Sequence, residues 1–306
     1  MILPTSRFIL IVLSCMILGG FVAWLAIRWL EPTDQTDAPA TAQQPIAVVE
    51  PVADGPKKPA VPTHTPAPQE PQGTSTVSQP KVAIVIDDVG LRPNVLDAFW
   101  AIPSINNGLS WAVIPGARFA NALTHDLVTR KACIIAHIPM EPIASESITS
   151  GLGDYLMLSD GPTGMLDKLR ARMDTFPASL RSHVTGLSNH QGSLLTTNRS
   201  AMMTLIKFAR SEKLFFFDSR TTAATIGISV AHEQGVRVVE RNVFLDNVRE
   251  PDAIERQLDE LLSHAQRKGS AVGIGHPYPE TAVALARWLH KHASSLQLVP
   301  VSALTQ

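Results

Sequence analysis

The sequence predicts a largely parallel α/β barrel for the C-terminal three quarters of the chain. From Lys81 onward, eight short apolar runs alternate with longer segments whose apolar residues recur every three to four positions. Most of the short runs are continuously apolar, which is typical of parallel strands covered on both faces. About 225 residues with that many strands fit a barrel better than one open sheet, although the pattern alone does not separate the two.

The first segment, residues 1–30, is predicted to be a transmembrane anchor. Residues 8–27 contain no charged side chain, and twenty apolar residues in a helix match the thickness of a bilayer core. No small-x-small cleavage site follows, so we expect the helix to be retained. Arg7 precedes it and several acidic residues follow it soon after. This asymmetry predicts a single-pass inner-membrane protein whose C-terminal domain lies in the periplasm.

Residues 31–80 are predicted to be a disordered linker. They hold 11 of the 23 prolines, mixed with Ala, Thr, Gln and Ser, and show no sustained hydrophobic period. Such a segment cannot bury enough apolar surface to fold, and its prolines favour extended conformations. The remaining domain covers residues 81–306. The net charge of the chain is −1, so its composition does not indicate a basic surface that would bind nucleic acid.

The elements of this domain follow from the pattern in chain order. Apolar runs predict strands at 82–86, 109–114, 132–138, 182–187, 214–217, 236–240, 271–275 and 296–301. Amphipathic spacing predicts helices at 93–102, 117–130, 164–176, 198–212, 252–268 and 281–293. The aromatic run Phe215–Phe217 is expected in the core rather than on a sugar-binding surface.

Acidic, imidazole, guanidinium and amide side chains follow six of the eight predicted strands. They are Asp87 and Asp88, His137, Asn189 and His190, Asp218 and Arg220, Asp246, and His276. Any one of them is explained by a structural hydrogen bond or a helix N-cap. Together they predict one site, because the carboxyl ends of barrel strands open on one face. Imidazole and carboxylate groups without thiolates suit zinc or a similar divalent metal.

A metal would also account for the two adjacent aspartates, whose charges repel each other at the end of a buried strand. One of them can bind the cation while the other stays ionised and takes a proton from water. His276, predicted on another part of the rim, could donate a proton to a leaving group.

These strand-end motifs resemble those of a known family. Residues 81 to about 304 resemble the divergent polysaccharide deacetylase family, a branch of the polysaccharide deacetylase superfamily of carbohydrate esterases. The similar stretches, in the family's order, are IVIDDVG, HIPMEP, NHQGS, FFFDSRT, VFLDN, GIGHPYPET and LVPVSAL. The resemblance implies a distorted (β/α)7–8 barrel of the glycoside hydrolase/deacetylase type. It also implies metal-dependent removal of acetyl groups from an N-acetylated sugar polymer, such as a peptidoglycan-like glycan.

The resemblance assigns catalytic roles to Asp87 as general base and His276 as general acid. It assigns the metal to Asp88, His137 and a third ligand. The classical deacetylases have His-x-x-x-His where this chain has His137 to Glu141, so either Glu141 coordinates or His190 replaces it, and we favour His190.

The remaining polar residues of these motifs are expected in supporting or substrate-binding positions: Glu141, Asn189, Asp218, Arg220, Asp246 and Tyr278. The missing second histidine leaves a rival interpretation open. In that alternative, the barrel is catalytically silent and binds a glycan or an envelope partner.

Overall fold

A computed structural model describes residues 79–103, 105, 108–144 and 146–306. The predicted anchor and nearly all of the predicted linker lie outside these residues, so both stay predictions. Within the described part of the chain, no helix has the length and apolar composition needed to cross a bilayer.

In the described residues, nine strands form one sheet in which every pairing is parallel. They are β1 Lys81–Val89, β2 Leu109–Val113, β3 Cys133–Met140, β4 Val184–Gln191, β5 Phe215–Asp218, β6 Val238–Glu240, β7 Val243–Phe244, β8 Ser270–Gly275 and β9 Gln297–Leu298. Their order is β6-β5-β4-β3-β2-β1-β8-β7, with β9 paired to β1.

The sheet curls into an incompletely closed barrel. The two strands at the ends of the order, β6 and β7, are joined by only two residues, Arg241 and Asn242. Such a connection spans about 11 Å at most, so the two edges of the sheet must face each other. The parallel α/β barrel is therefore confirmed, with its seam between β6 and β7.

Eight α-helices connect the described strands. They are α1 Asp97–Trp100, α2 Ala120–Thr129, α3 Gly161–Met173, α4 Ala178–Arg181, α5 Arg199–Ser211, α6 Gly227–Glu233, α7 Pro251–Lys268 and α8 Pro279–His292. Five of the six predicted helices form over most of their length.

Several element predictions were wrong. The helix predicted at 93–102 is reduced to the single turn α1, because Asn94 adopts a left-handed φ of 54° that ends regular helix geometry. The strand β7 and the helix α4 were missed, since each is too short to show a period. The predicted strand 296–301 contributes only the two residues of β9.

The barrel interior explains where the reactive side chains lie. A small apolar cluster fills it, containing Ala83, Val85, Ala112, Ile135, Phe215, Phe217, Val272 and Ile274. Side chains repeat on one face of a strand every second residue. Two positions beyond Val85, Ile135 and Ile274 come Asp87, His137 and His276. The site therefore caps the interior core at the carboxyl end of the barrel, and Phe215 and Phe217 are core residues, as predicted.

Candidate metal centre and active site

The two adjacent aspartates reach the same site because the end of β1 is irregular. In a regular strand, neighbouring side chains point to opposite faces. Here the pairing of β1 with β2 shifts register between Ile86 and Val89, and Asp88 has a φ of 59°. This bulge turns the strand at Asp88, so that both carboxylates lie near His137.

Asp88, His137 and His190 form a group whose ligand atoms all lie within 4.8 Å of one another. Asp88 Oδ1 is 3.4 Å from His137 Nε2 and 2.7 Å from His190 Nδ1. One carboxylate and two imidazoles are a donor set that suits zinc and similar divalent metals. The three residues predicted as ligands are thus brought together, and their chemistry fits a bound cation.

The outer nitrogen of each ring is held by a hydroxyl. His137 Nδ1 and Ser188 Oγ share a hydrogen bond of 2.7 Å, and His190 Nε2 lies 3.3 Å from Thr149 Oγ1. In this structure the other nitrogen of each ring is directed at Asp88 and donates to it. With a cation bound, each ring would instead donate its proton to the hydroxyl and turn the lone pair of that nitrogen to the metal. Sequence reasoning missed both hydroxyls. The period-two repeat in β4 could have indicated Ser188, two residues before His190.

Asp87 is buried beside this group and has an unpartnered oxygen. Its Oδ2 lies 3.6 Å from His137 Nε2, whereas Oδ1 has no hydrogen-bond partner among the described residues. Burial raises the pKa of Asp87 above its ordinary value, against the opposing pull of His137 and His276. Burial also acts on Asp88, but hydrogen bonds from His137 and His190 outweigh it and hold that pKa well below its ordinary range. The pKa values of the two carboxylates are therefore shifted in opposite directions.

His276 is fixed to Asp246 on the other side of the cleft. Its Nδ1 lies 2.9 Å from Asp246 Oδ1, and its backbone N–H donates to Asp246 Oδ2 at 2.5 Å. Thr281 donates a further hydrogen bond to Asp246 at 2.7 Å. Burial alone would lower the pKa of His276, but Asp246, aided by Asp88 and Asp87, raises it to about 9. The free Nε2 lies 3.8 Å from Asp88.

Glu141 belongs to another part of the structure. Residues from His137 to Met140 continue as strand β3, so Glu141 lies about 13 Å further along the chain at the usual rise per residue. Its carboxylate accepts a hydrogen bond of 2.5 Å from the backbone of Leu158. Of the two alternatives for the third ligand, the structure favours His190.

Asn189 and Asp218 hold the strand ends in place. Asn189 accepts a hydrogen bond from the backbone of Ser219 and donates one to the carbonyl of Gln191. Asp218 accepts from Thr225 and from the backbone of Arg220, and burial raises its pKa. Each side chain braces a loop of the site; Asn189 also lines the cleft, whereas Asp218 does not.

The cleft at the barrel mouth has a volume of about 600 Å³. Asp87, Asp88, His137, His190 and His276 line it, together with Arg220 and Arg241 among others. Arg220 pairs with Glu240 at 3.0 Å. Arg241, which sequence reasoning missed, sits in the barrel seam and donates to the carbonyls of Ser219 and Arg220. Tyr278 stacks against His276 with ring centroids 5.4 Å apart, but does not line this cleft.

Fold and site together define a class: an incompletely closed parallel β/α barrel with a carboxylate–imidazole centre at its strand ends. The chain belongs to the divergent polysaccharide deacetylase family, whose model matches residues 84–305.

Two relatives illustrate this membership, and one solved structure shares the fold. An uncharacterized protein of Haemophilus influenzae is 34% identical over 227 residues, covering 74% of this chain and 77% of that protein. The uncharacterized protein YibQ of Escherichia coli is 30% identical over 231 residues, covering 76% and 69%. A crystal structure of the uncharacterized protein ATU2773 from Agrobacterium tumefaciens has a TM-score of 0.67 at 23% identity, covering 75% and 91%. This last likeness is one of fold.

Proposed function

We propose that this protein is a metal-dependent hydrolase that removes N-acetyl groups from an envelope glycan. The observation that carries the proposal is the convergence of Asp88, His137 and His190 beside a buried, unpartnered Asp87. Membership of a deacetylase family supports the reaction type.

Asp88, His137 and His190 would hold the cation, and we propose zinc. When bound, the ion would supply a Lewis acid for the acetamide carbonyl and for water. The donor set supports this choice, since it consists of one carboxylate and two imidazoles and contains no thiolate.

Asp87 would act as the general base. Its Oδ1 is buried, lies next to the metal-binding group and has no competing partner among the described residues. A raised pKa makes its carboxylate a stronger proton acceptor than an ordinary aspartate. It would take a proton from the water that attacks the carbonyl carbon.

His276 would act as the general acid. Asp246 engages Nδ1 and so leaves Nε2 to present a proton to the cleft. A pKa of about 9 keeps the ring protonated at neutral pH. As the C–N bond breaks, that proton would go to the departing amine, which yields acetate and a free amino sugar.

The cellular setting is also part of the proposal. The charge-free stretch at residues 8–27 and the proline-rich segment after it support an inner-membrane protein with the barrel in the periplasm. An acetylated polysaccharide or peptidoglycan-like polymer would be the substrate there.

Acetate release tests the proposal. The full-length chain, supplied with zinc, should release acetate from N-acetylated chitooligosaccharides or peptidoglycan. His276→Gln should abolish most of this activity. A matched control is His292→Gln. It removes an imidazole at the end of α8 that lies 3.5 Å from Asp259 of α7, and it should leave the activity intact. A metal-loaded chain that releases no acetate from either glycan would favour the catalytically silent alternative.

A further inference from the structure

Two arginines flank the tyrosine beside His276. Arg249 places its guanidinium 3.8 Å from the centroid of the Tyr278 ring and donates a hydrogen bond of 2.7 Å to the phenol oxygen. Arg92, from the loop after β1, lies 5.7 Å from the same centroid. Two separate loops therefore bring positive charge to one ring at the edge of the catalytic cleft.

Neither guanidinium has an acidic partner. Among the described residues, no carboxylate lies within 4 Å of Arg92 or Arg249, and both side chains belong to exposed residues. Some other exposed or half-buried arginines have such partners, as Arg199 has Glu233 and Arg181 has Glu212. Glu280 lies in the first turn of α8, which begins directly after Tyr278, but among the described residues it forms no ion pair with Arg92 or Arg249. The two charges are thus available to a ligand.

A groove lies beside Tyr278. Arg92 lines it, whereas Arg249 reaches it only through its contact with the Tyr278 ring. The groove has a volume of about 390 Å³ and is walled mainly by apolar surface. Its lining residues are Arg92, Pro93, Asn94, Val95, Ala98, Pro277, Tyr278 and Pro279. The proline faces suit the C–H face of a pyranose ring, since the Tyr278 ring is already covered by Arg249 and His276. A guanidinium at the rim suits an anionic substituent.

We propose that this groove binds an acidic sugar residue next to the N-acetylated one, with Arg92 and Arg249 holding its anionic group. The position relative to the reacting sugar rests on the function proposed above. The distribution of charge supports it. Asp87 and Asp88 line the catalytic cleft. The two arginines of that cleft are already engaged, Arg220 by Glu240 and Arg241 by backbone carbonyls. An anionic substituent is therefore favoured at Arg92 and Arg249. The groove would therefore fix which way the glycan lies across the site.

A carboxylate and a phosphate would both satisfy the arginines, and binding measurements can separate them. The probes are the disaccharide of N-acetylglucosamine and N-acetylmuramic acid, the same disaccharide with its carboxylate reduced to an alcohol, and diacetylchitobiose 6-phosphate. Calorimetry is done on the full-length chain carrying Asp87→Asn, so that hydrolysis does not consume the probe.

We expect one anionic probe to bind about tenfold to a hundredfold more tightly than the alcohol, as charge-assisted hydrogen bonds would give. A preference for the acid identifies a carboxylate, and a preference for the phosphate identifies a phosphate. Adding Arg92→Gln or Arg249→Gln should each remove most of the preference. Arg130→Gln is the matched control, since Arg130 also stacks on an aromatic ring, at 4.6 Å from Trp100, but follows α2 before β3 begins.

Equal affinity for all three probes would overturn the inference, and so would a preference that survives both arginine substitutions. Because the two arginines lie on separate loops, loss of folding in one variant leaves the other informative. Acetate release, measured in parallel on the chain that retains Asp87, separates the two proposals. Release without an anionic preference refutes this inference alone, and a preference without release refutes the proposed reaction alone.

Discussion

Replacing Asp246 by Asn should move the alkaline limit of activity to lower pH. Asp246 is the largest of the groups that raise the pKa of His276 to about 9, against the effect of burial. Asparagine is nearly the same size and keeps an oxygen to accept the backbone N–H of His276. It removes the negative charge, so the pKa of His276 should fall toward its ordinary value of about 6.5.

The size of the effect follows from the fraction of protonated acid. With a pKa of about 9, roughly 97% of His276 is protonated at pH 7.5, whereas with a pKa of about 6.5 only roughly 9% is. We therefore expect about a tenfold loss of kcat/KM at pH 7.5 from this cause alone. The loss should shrink at pH 6, where most of the ring is protonated again.

The assay is acetate release from an N-acetylated chitooligosaccharide between pH 5.5 and 9.5, with zinc content measured at each pH. The direction in which the pH profile moves follows from the role of His276 as an acid. A general acid is active below its pKa, so lowering that pKa moves the descending limb of the profile to lower pH. An Asp246→Asn variant with the same loss at every pH, or with an unchanged alkaline limb, would refute the assignment of His276 as the acid.

Three further changes test other parts of the site and fold. Asp87→Asn should lower acetate release by about a hundredfold or more while zinc uptake stays stoichiometric; loss of zinc with it would make Asp87 a ligand instead of the base. Ser188→Ala removes the partner of His137 and should weaken zinc affinity about tenfold or more in a chelator competition, and unchanged affinity would contradict that supporting role. Gly227→Ala would drive a Cβ into the carboxylate of Asp218, and it should cost about 1–3 kcal/mol of unfolding free energy in urea; an unchanged midpoint would show that the loop relaxes freely.

The sheet and most of its helices were predictable because each element is long enough to show its own period. The helix α7, for example, has 18 residues with a clear apolar stripe. By contrast, β7 has two residues and α4 has four. Such elements form because the neighbouring strand or the barrel seam holds them, and that information is not local in the sequence.

The principal residues of the site were also predictable, since parallel strands bring their carboxyl ends to one rim. The structure unites Asp87, Asp88, His137, His190 and His276 around one cleft. Their chemical roles remain predictions until activity and metal content are measured.

Three features escaped prediction for physical reasons. The bulge at Asp88 depends on a single left-handed φ, which cannot be predicted from the sequence IDDVG. Thr149 lies on a loop after β3 and meets His190 only through tertiary folding. Arg241 comes to the cleft because the barrel closes around the seam between β6 and β7.

Metal content measured together with acetate release tests the central claim most directly. The full-length chain, purified after growth with zinc, should hold about one divalent ion per chain, and removal of that ion by a chelator should abolish acetate release. Asp88→Ala and His190→Ala should each lose the ion and the activity together. A chain that holds no stoichiometric metal, or one whose metal uptake is unchanged by both substitutions, would contradict the account.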